Sequence, residues 1–221
     1  MKVGNAIYSS RKDLPETIGV FPLDSILILP NAFLSLNVFE QRYLDLVQDA
    51  IQNERVIGII QIDPKHKNED NPPLYKTGCM ARIIGFTETG DNRILLSLQG
   101  ICRFNIIQEE DSDTTYRRFK VEPWLEDLID DNKIENEKRP ILMNAFSDLF
   151  DAYDLDTDLE QVAEAPLPIL VNALAVIAPF SAAEKQILLE APSTSERVDT
   201  LIALAERSIL SQDGFDAKDL Q

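Results

Sequence analysis

Residues 28–43 read ILPNAFLSLNVFEQRY. The stretch opens as a buried strand and closes as a charged amphipathic helix. Upstream, FPLDSILIL at 21–29 is apolar and rich in strand formers, so a strand is expected through 29. Downstream, Phe39, Tyr43, Leu46, Val47, Ala50 and Ile51 recur at helical spacing. Asn37 is placed as the N-cap of that helix, because Glu40 stands three positions on, where a capping-box carboxylate belongs. Between strand and helix lies NAFLSL, short and apolar after Pro30. It is either part of a core or a surface that grips something.

Further out, the first half continues as strands. RVIGIIQI at 55–62, CMARIIGF at 79–86, RILLSLQGICRFNII at 93–107 and RRFKVEPW at 117–124 are strand-like. ETGDN at 88–92 joins two of them into a hairpin. The loop DPKHKNEDNPP at 63–73 has no apolar residue and is expected to be exposed. Beyond a boundary at 123–134 the period turns helical. Pro140 suits a first turn, and Leu142, Phe146, Leu149, Phe150 and Tyr153 form one stripe. A short acidic helix is expected at 157–165. LPILVNALAVIA at 167–178 is apolar nearly all round and should be the most buried helix. Ser181 with Glu184, and Ser193 with Glu196, start helices at about 181–190 and 193–210. Strands followed by helices give an α+β chain.

Charge divides at the same boundary. Residues 1–122 carry 14 Lys/Arg against 17 Asp/Glu, a net of −3, and residues 123–221 carry 7 against 21, a net of −14. Nucleic acid and anionic membranes both call for cations, so neither is an expected partner. The longest apolar run is too short to span a bilayer, and the N-terminus has no signal-peptide pattern. With only Cys79 and Cys102, disulfides are not the framework, and a reduced cytoplasmic protein is expected.

Catalytic parts are scarce. There is no Walker A loop, no GxGxxG, no HExxH, no CxxC and no GxSxG. The single histidine, His66, lies in the polar loop with no nucleophile to name beside it. EEDSD at 109–113 and DLDTDLE at 154–160 lack the spacing of a calcium loop. No cofactor, no metal and no enzymatic activity are expected. If Gly90 and Asp91 form a two-residue turn, Cys79 and Cys102 are cross-strand neighbours, unless a bulge shifts the register. They are then two small buried side chains or a redox switch. Trp124, the only tryptophan, falls at the inter-domain boundary, as a binding aromatic or as a wedge in the seam.

Taken in order, FPLDSILILPNAFLSLNVFEQRYLDLV, YKTGCMARI, GICRFNI and the helical segment 167–206 resemble the Lon protease N-terminal domain family, also called the Lon substrate-binding domain. The resemblance runs from about 18 to 210 and implies a PUA-like small β-barrel with one inserted helix, followed by a C-terminal α-helical bundle. The barrel is assigned to 15–124, the helical subdomain to 135–211 and a polar tail to 212–221. Since the family's ATPase and protease modules are missing, a stand-alone member is implied. The family often has proline where Ser35 and Gln41 stand, while Glu40, Arg42, Tyr43 and Arg103 fit its pattern. Within that order Leu34 and Leu36 point to the barrel core, alternating with Phe33 and Ser35, and Phe33 is the candidate apolar grip. Glu40, Arg42 and Arg103 either line one groove or fix the helix against the barrel. The implied function is non-catalytic binding of polypeptide clients, with docking to a separate protease or chaperone, or binding of RNA or a small ligand, as alternatives. The sequence leaves the oligomeric state open.

Overall fold

The computed structural model describes residues 1–66, 69, 71–129, 137–155 and 163–216. A two-residue hairpin pair, β1 (Lys2–Val3) and β2 (Ala6–Ile7), precedes the main sheet. That sheet contains β3 (Thr17–Leu23), β4 (Phe33–Val38), β5 (Val56–Gln61), β6 (Thr77–Glu88), β7 (Ile94–Glu110) and β8 (Arg118–Pro123). Its order is β4-β7-β6-β5-β3-β8, and β8 pairs back onto β7, so five of the strands form a closed circuit with β4 outside it. β7 makes this possible by its length. Its first half, from Ile94 to Gln99, holds β4, and its second half, from Phe104 to Glu110, holds β8. Register shifts at Met80/Ala81, Ile83/Gly85 and Ile106/Gln108 bend the pairings between these halves. β3 and β5 run parallel, and α1 (Gln41–Gln52) lies in the crossover between them.

Two cores result. Inside the circuit, Ile18, Val20, Ile60, Met80, Phe104, Phe119 and Val121 pack together. Phe104 occupies the space left by two glycines: a Cβ on Gly78 would come within 2.7 Å of its ring, and one on Gly58 within 3.1 Å. The outer core joins sheet to helices, with Ile57 and Ile59 meeting Leu29, Tyr43, Val47, Phe146, Leu170 and Leu201. β5 therefore faces apolar groups on both sides, which explains its unbroken apolar run.

The opening stretch differs from expectation in two ways. The strand ends at Leu23, not 29, and NAFLSL is itself mostly strand. Ser25 and Asn31 take positive φ, 59° and 64°, and turn the chain across the sheet. Leu27, Ile28 and Leu29 remain buried there without belonging to a strand. Hydrogen bonds satisfy this buried irregular backbone: Asn31 N donates to Gly100 O at 3.0 Å, Gly100 N to Ala32 O at 2.9 Å, and Asn172 Nδ2 to Pro30 O at 2.6 Å. The approach demands glycine, since a Cβ on Gly100 would meet Leu29 O at 2.1 Å. The helix also starts later than expected. Asn37 belongs to β4, and Glu40 is the N-cap, its carbonyl accepting from Tyr43 and Leu44. Phe39 is outside the helix and exposed.

The helical half holds α2 (Arg139–Ala152), α3 (Leu167–Ile177), α4 (Ala182–Glu190) and α5 (Thr194–Asp216). Pro140 lies in the first turn of α2, and Leu142, Phe146, Leu149 and Phe150 are buried. α3 is buried on one side only, because Ile169 and Ile177 are exposed. Ser181 and Glu184 form the expected capping box, and Glu196 N donates to Ser193 Oγ at 3.2 Å. α5 is longer than expected. The acidic helix assigned to 157–165 falls mostly outside the described residues.

Candidate functional site

β4 ends the sheet, and pleating turns Phe33, Ser35 and Asn37 outward. Opposite them on β7 are Gln99, Ser97 and Leu95, and on β6 the next partners are Gly85 and Thr87. Phe33 is 64% exposed and Leu95 50%, whereas Phe86, opposite Leu96, lies on the other face. A shallow cleft lies over this face, lined by Ser35, Gly85, Thr87, Leu95 and Ser97 among others. Beyond the end of β4, Phe39 is also exposed and carries the Arg93 guanidinium 5.7 Å from its ring centre. Large apolar groups on the outer face of a sheet are the groups that burial against a partner would stabilise. Leu34 and Leu36 point the other way and pack against the outer core.

Sequence reading named Phe33 but not Leu95. The signal for Leu95 was available in ILLSL at 94–98, where Ile94, Leu96 and Leu98 take the buried alternate positions. That leaves one leucine facing out.

Glu40, Arg42 and Arg103 do not share a groove. Glu40 and Arg42 form an exposed pair, with Arg42 Nε and Nη2 donating to Glu40 Oε2 at 3.0 and 2.8 Å. Arg42 also lies over the Tyr43 ring and edges a cleft with Pro22, Ile62, Pro72 and Arg117. Arg103 is only 3% exposed and belongs to the seam between sheet and helices. Its Nε and Nη2 donate to Asp127, and its Nη1 donates to the carbonyls of Leu189 and Ala191 at the end of α4. Trp124 is partly buried and lies against the same guanidinium, 4.1 Å from ring centre to Cζ.

Other polar groups, not singled out in the sequence, complete the seam. Arg197 donates to Leu188 O at 2.9 Å and reaches Asn172 Oδ1 at 3.3 Å. Burial, helped by the nearby Arg103 charge, lowers its pKa to about 10. Gln186 donates to Thr77 O, and Gln61 donates to Gln186 and to Ala182 O. Asn172 was visible as the one polar residue inside LPILVNALAVIA; Asp127 had no such signal.

The expected cysteine pairing is overturned. Met80 faces Cys102 and Cys79 faces Arg103, because the bulge at Met80/Ala81 displaces the register. Cys79 belongs to the outer core and Cys102 to the inner one. Burial raises both thiols, Cys79 well above its ordinary value and Cys102 to about 12, so neither is a ready nucleophile. His66 is exposed, with Nδ1 2.8 Å from Glu69 Oε1. Glu109 is engaged by Arg117 and Glu110 accepts from Thr17. Among the described residues no helix is long and apolar enough to cross a membrane.

Residues 17–207 match the family described as the ATP-dependent protease La (LON) substrate-binding domain. Among curated relatives, the Lon protease of Anaeromyxobacter dehalogenans is 28% identical over 138 residues, 60% of this chain and 16% of that protein. The Lon protease of Dictyoglomus thermophilum is 25% identical over 212 residues, 90% of this chain and 25% of that one. The chain thus spans a quarter or less of these relatives' length. The solved structure of a Lon N-terminal domain protein from Xanthomonas campestris superposes with a TM-score of 0.62 at 24% identity, covering 85% of this chain and 97% of that one. The N-terminal domain of a Mycobacterium avium complex Lon protease gives 0.60 at 15% identity, covering 86% and 98%.

Proposed function

The chain belongs to the Lon substrate-binding domain family, and on that premise we propose that it is a non-catalytic polypeptide-binding module of protein quality control. The observation that carries this reading is the exposure of Phe33 and Leu95 on the outer face of β4 and β7. The closed strand circuit supports reading 15–124 as a PUA-like barrel with a helical subdomain, assigned to 135–211, beside it. Clients bind as extended apolar segments. Their side chains cover Phe33 and Leu95, and their backbone pairs with the outer edge of β4. The net charge of −17 favours neutral or basic clients and makes their capture weaker as salt rises. A cytoplasmic setting fits the two buried, unpaired cysteines.

The test is a titration of the isotopically labelled protein with an alkylated, permanently unfolded polypeptide. Amide signals of residues 33–37, 85–87 and 95–97 should shift or broaden first. Perturbations confined to other surfaces, or none, would overturn the reading.

A further inference from the structure

Among the described residues β4 is the one strand of the main sheet with a single neighbour, and the phase of its pairing decides which backbone groups stay open. Asn31 and Ala32 together oppose Gly100: Asn31 N donates to Gly100 O at 3.0 Å, and Gly100 N to Ala32 O at 2.9 Å. With Asn31 at φ 64°, this is a bulge whose first residue takes the left-handed conformation. Ala32 then stands at a hydrogen-bonded position of the ladder. Such positions alternate in antiparallel pairs, so Leu34, Leu36 and Val38 exchange hydrogen bonds with Leu98, Leu96 and Ile94. Phe33, Ser35 and Asn37 fall on the other phase. Their N–H and C=O groups point away from β7, toward the open side. Every residue from 33 to 37 keeps some exposure, so no described element buries this edge.

A row of free donors and acceptors is a template for another strand. β4 carries neither charge nor proline, residues that commonly guard such an edge. Charge narrows the occupant. Residues 25–39 have no charged side chain, in a chain of net charge −17. A neutral segment approaches this edge without like-charge cost, whereas a second copy of the chain brings its own −17. We infer that β4 reads the backbone of its client. The substrate class is an extended, neutral segment paired antiparallel to Phe33–Asn37, with an N–H on each residue opposite Phe33, Ser35 and Asn37. Proline at those positions is rejected. Side chains of the same residues lie on the outer face, where apolar ones cover Phe33. This inference rests on the polypeptide-binding reading and names what the clients share.

The full chain, ¹⁵N-labelled, is titrated with a capped, neutral peptide of alternating threonine and leucine. Two analogues are N-methylated, one at every leucine and one at every threonine. With the leucines over Phe33, their amides face β4 and those of the threonines face away. The parent peptide should bind saturably and slow hydrogen exchange at the amides of Phe33, Ser35 and Asn37. Methylation at leucine should weaken binding at least ~10-fold, and methylation at threonine by less than about twofold. Ser35→Pro removes the central outward N–H and no bond to β7, a placement that edge strands tolerate. It should weaken the parent peptide by about 10-fold. Should that variant fail to fold, the two analogues decide on the unaltered chain. Equal affinity for the analogues, the reverse order, or a folded Ser35→Pro protein with undiminished affinity overturns the inference and leaves the apolar β4 face as a binding surface. A parent peptide that does not bind overturns both. Slow exchange at the same three amides without peptide, with a doubled mass in light scattering, gives the edge to a second copy and overturns the inference.

Discussion

Arg103 on β7 holds Asp127, in the turn after β8, with two parallel hydrogen bonds: Nε to Oδ2 at 2.9 Å and Nη2 to Oδ1 at 2.7 Å. The Arg103 backbone N–H adds a third to Oδ2 at 2.8 Å. The guanidinium's other nitrogen, Nη1, reaches Ala191 O at 2.6 Å, so one side chain ties strand, turn and helix end together. Asp127→Ala would leave a buried cation without its carboxylate and should cost about 3–5 kcal/mol. Arg103→Ala should cost a similar amount and also free Trp124. Equilibrium denaturation of both variants checks this. A stable Arg103→Ala protein would return that residue to the candidate binding groups.

Gly100 predicts a second loss of stability. Its position against Leu29 O leaves no room for a Cβ, and backbone cannot swing aside as a side chain can. Gly100→Ala should destabilise by roughly 3 kcal/mol, the upper range for overpacking. Gly85 is the internal control, since a Cβ there would meet only Ser97 at 3.8 Å. Gly85→Ala should change stability by less than about 0.5 kcal/mol. Thermal unfolding of the two variants, compared with the parent, separates the outcomes.

The contrast between these glycines shows where sequence is informative. An apolar run identified β5, the turn formers at 88–92 marked β6 and β7, alternation identified β8, and capping chemistry located the starts of α4 and α5. Those signals are local. The errors around residues 24–40 were not local in origin. ILIL looks like strand because its residues are apolar, yet it is buried in the outer core, while Gly100, about 70 positions on, holds the backbone of Asn31 and Ala32 just beyond it. Asn37 looked like a cap until β7 claimed it as a strand partner of Leu95. The site divided in the same way. Phe33 could be read from alternation, whereas the fate of Arg103 depended on Asp127 and α4, which no spacing rule brings to it.

Titration gives a third prediction. Burial raises Tyr8, Tyr43 and Tyr75, and Tyr116 is pushed from an ordinary 10.0 to about 12 by burial and its bond to Asp49. Each folded-state pKa lies above the unfolded one. The folded state therefore keeps its protons longer, and this contribution is whole below pH 10.0 and lost as pH rises through about 12. The two thiols act in the same direction from their ordinary 9.0. Denaturation midpoints should fall as pH rises from 9 to 11. Phenolate absorbance should lag that of the unfolded chain over the same window. Tyr116→Phe should remove part of the pH dependence. An unchanged midpoint across this range would contradict the burial of these groups.

Phe33 provides the last prediction, because it separates grip from core. It projects from β4 at 64% exposure, beside a sheet whose inward neighbours Leu34 and Leu36 do the packing. Phe33→Asp should therefore leave stability within about 0.5 kcal/mol of the parent, as expected for an exposed position. Leu36→Asp, on the opposite face, puts a charge against the outer core and should cost several times more. Binding should show the reverse dependence. With Phe33 and Leu95 both changed to Asp, the apolar contact is replaced by two anions, and affinity for an unfolded neutral polypeptide should fall by at least ~10-fold. A basic polypeptide should lose less, because the added charges attract it. The measurement is paired: denaturation for each variant, and a titration with neutral and basic unfolded chains. Equal affinity in parent and double variant would remove β4 from the binding surface, whatever its exposure.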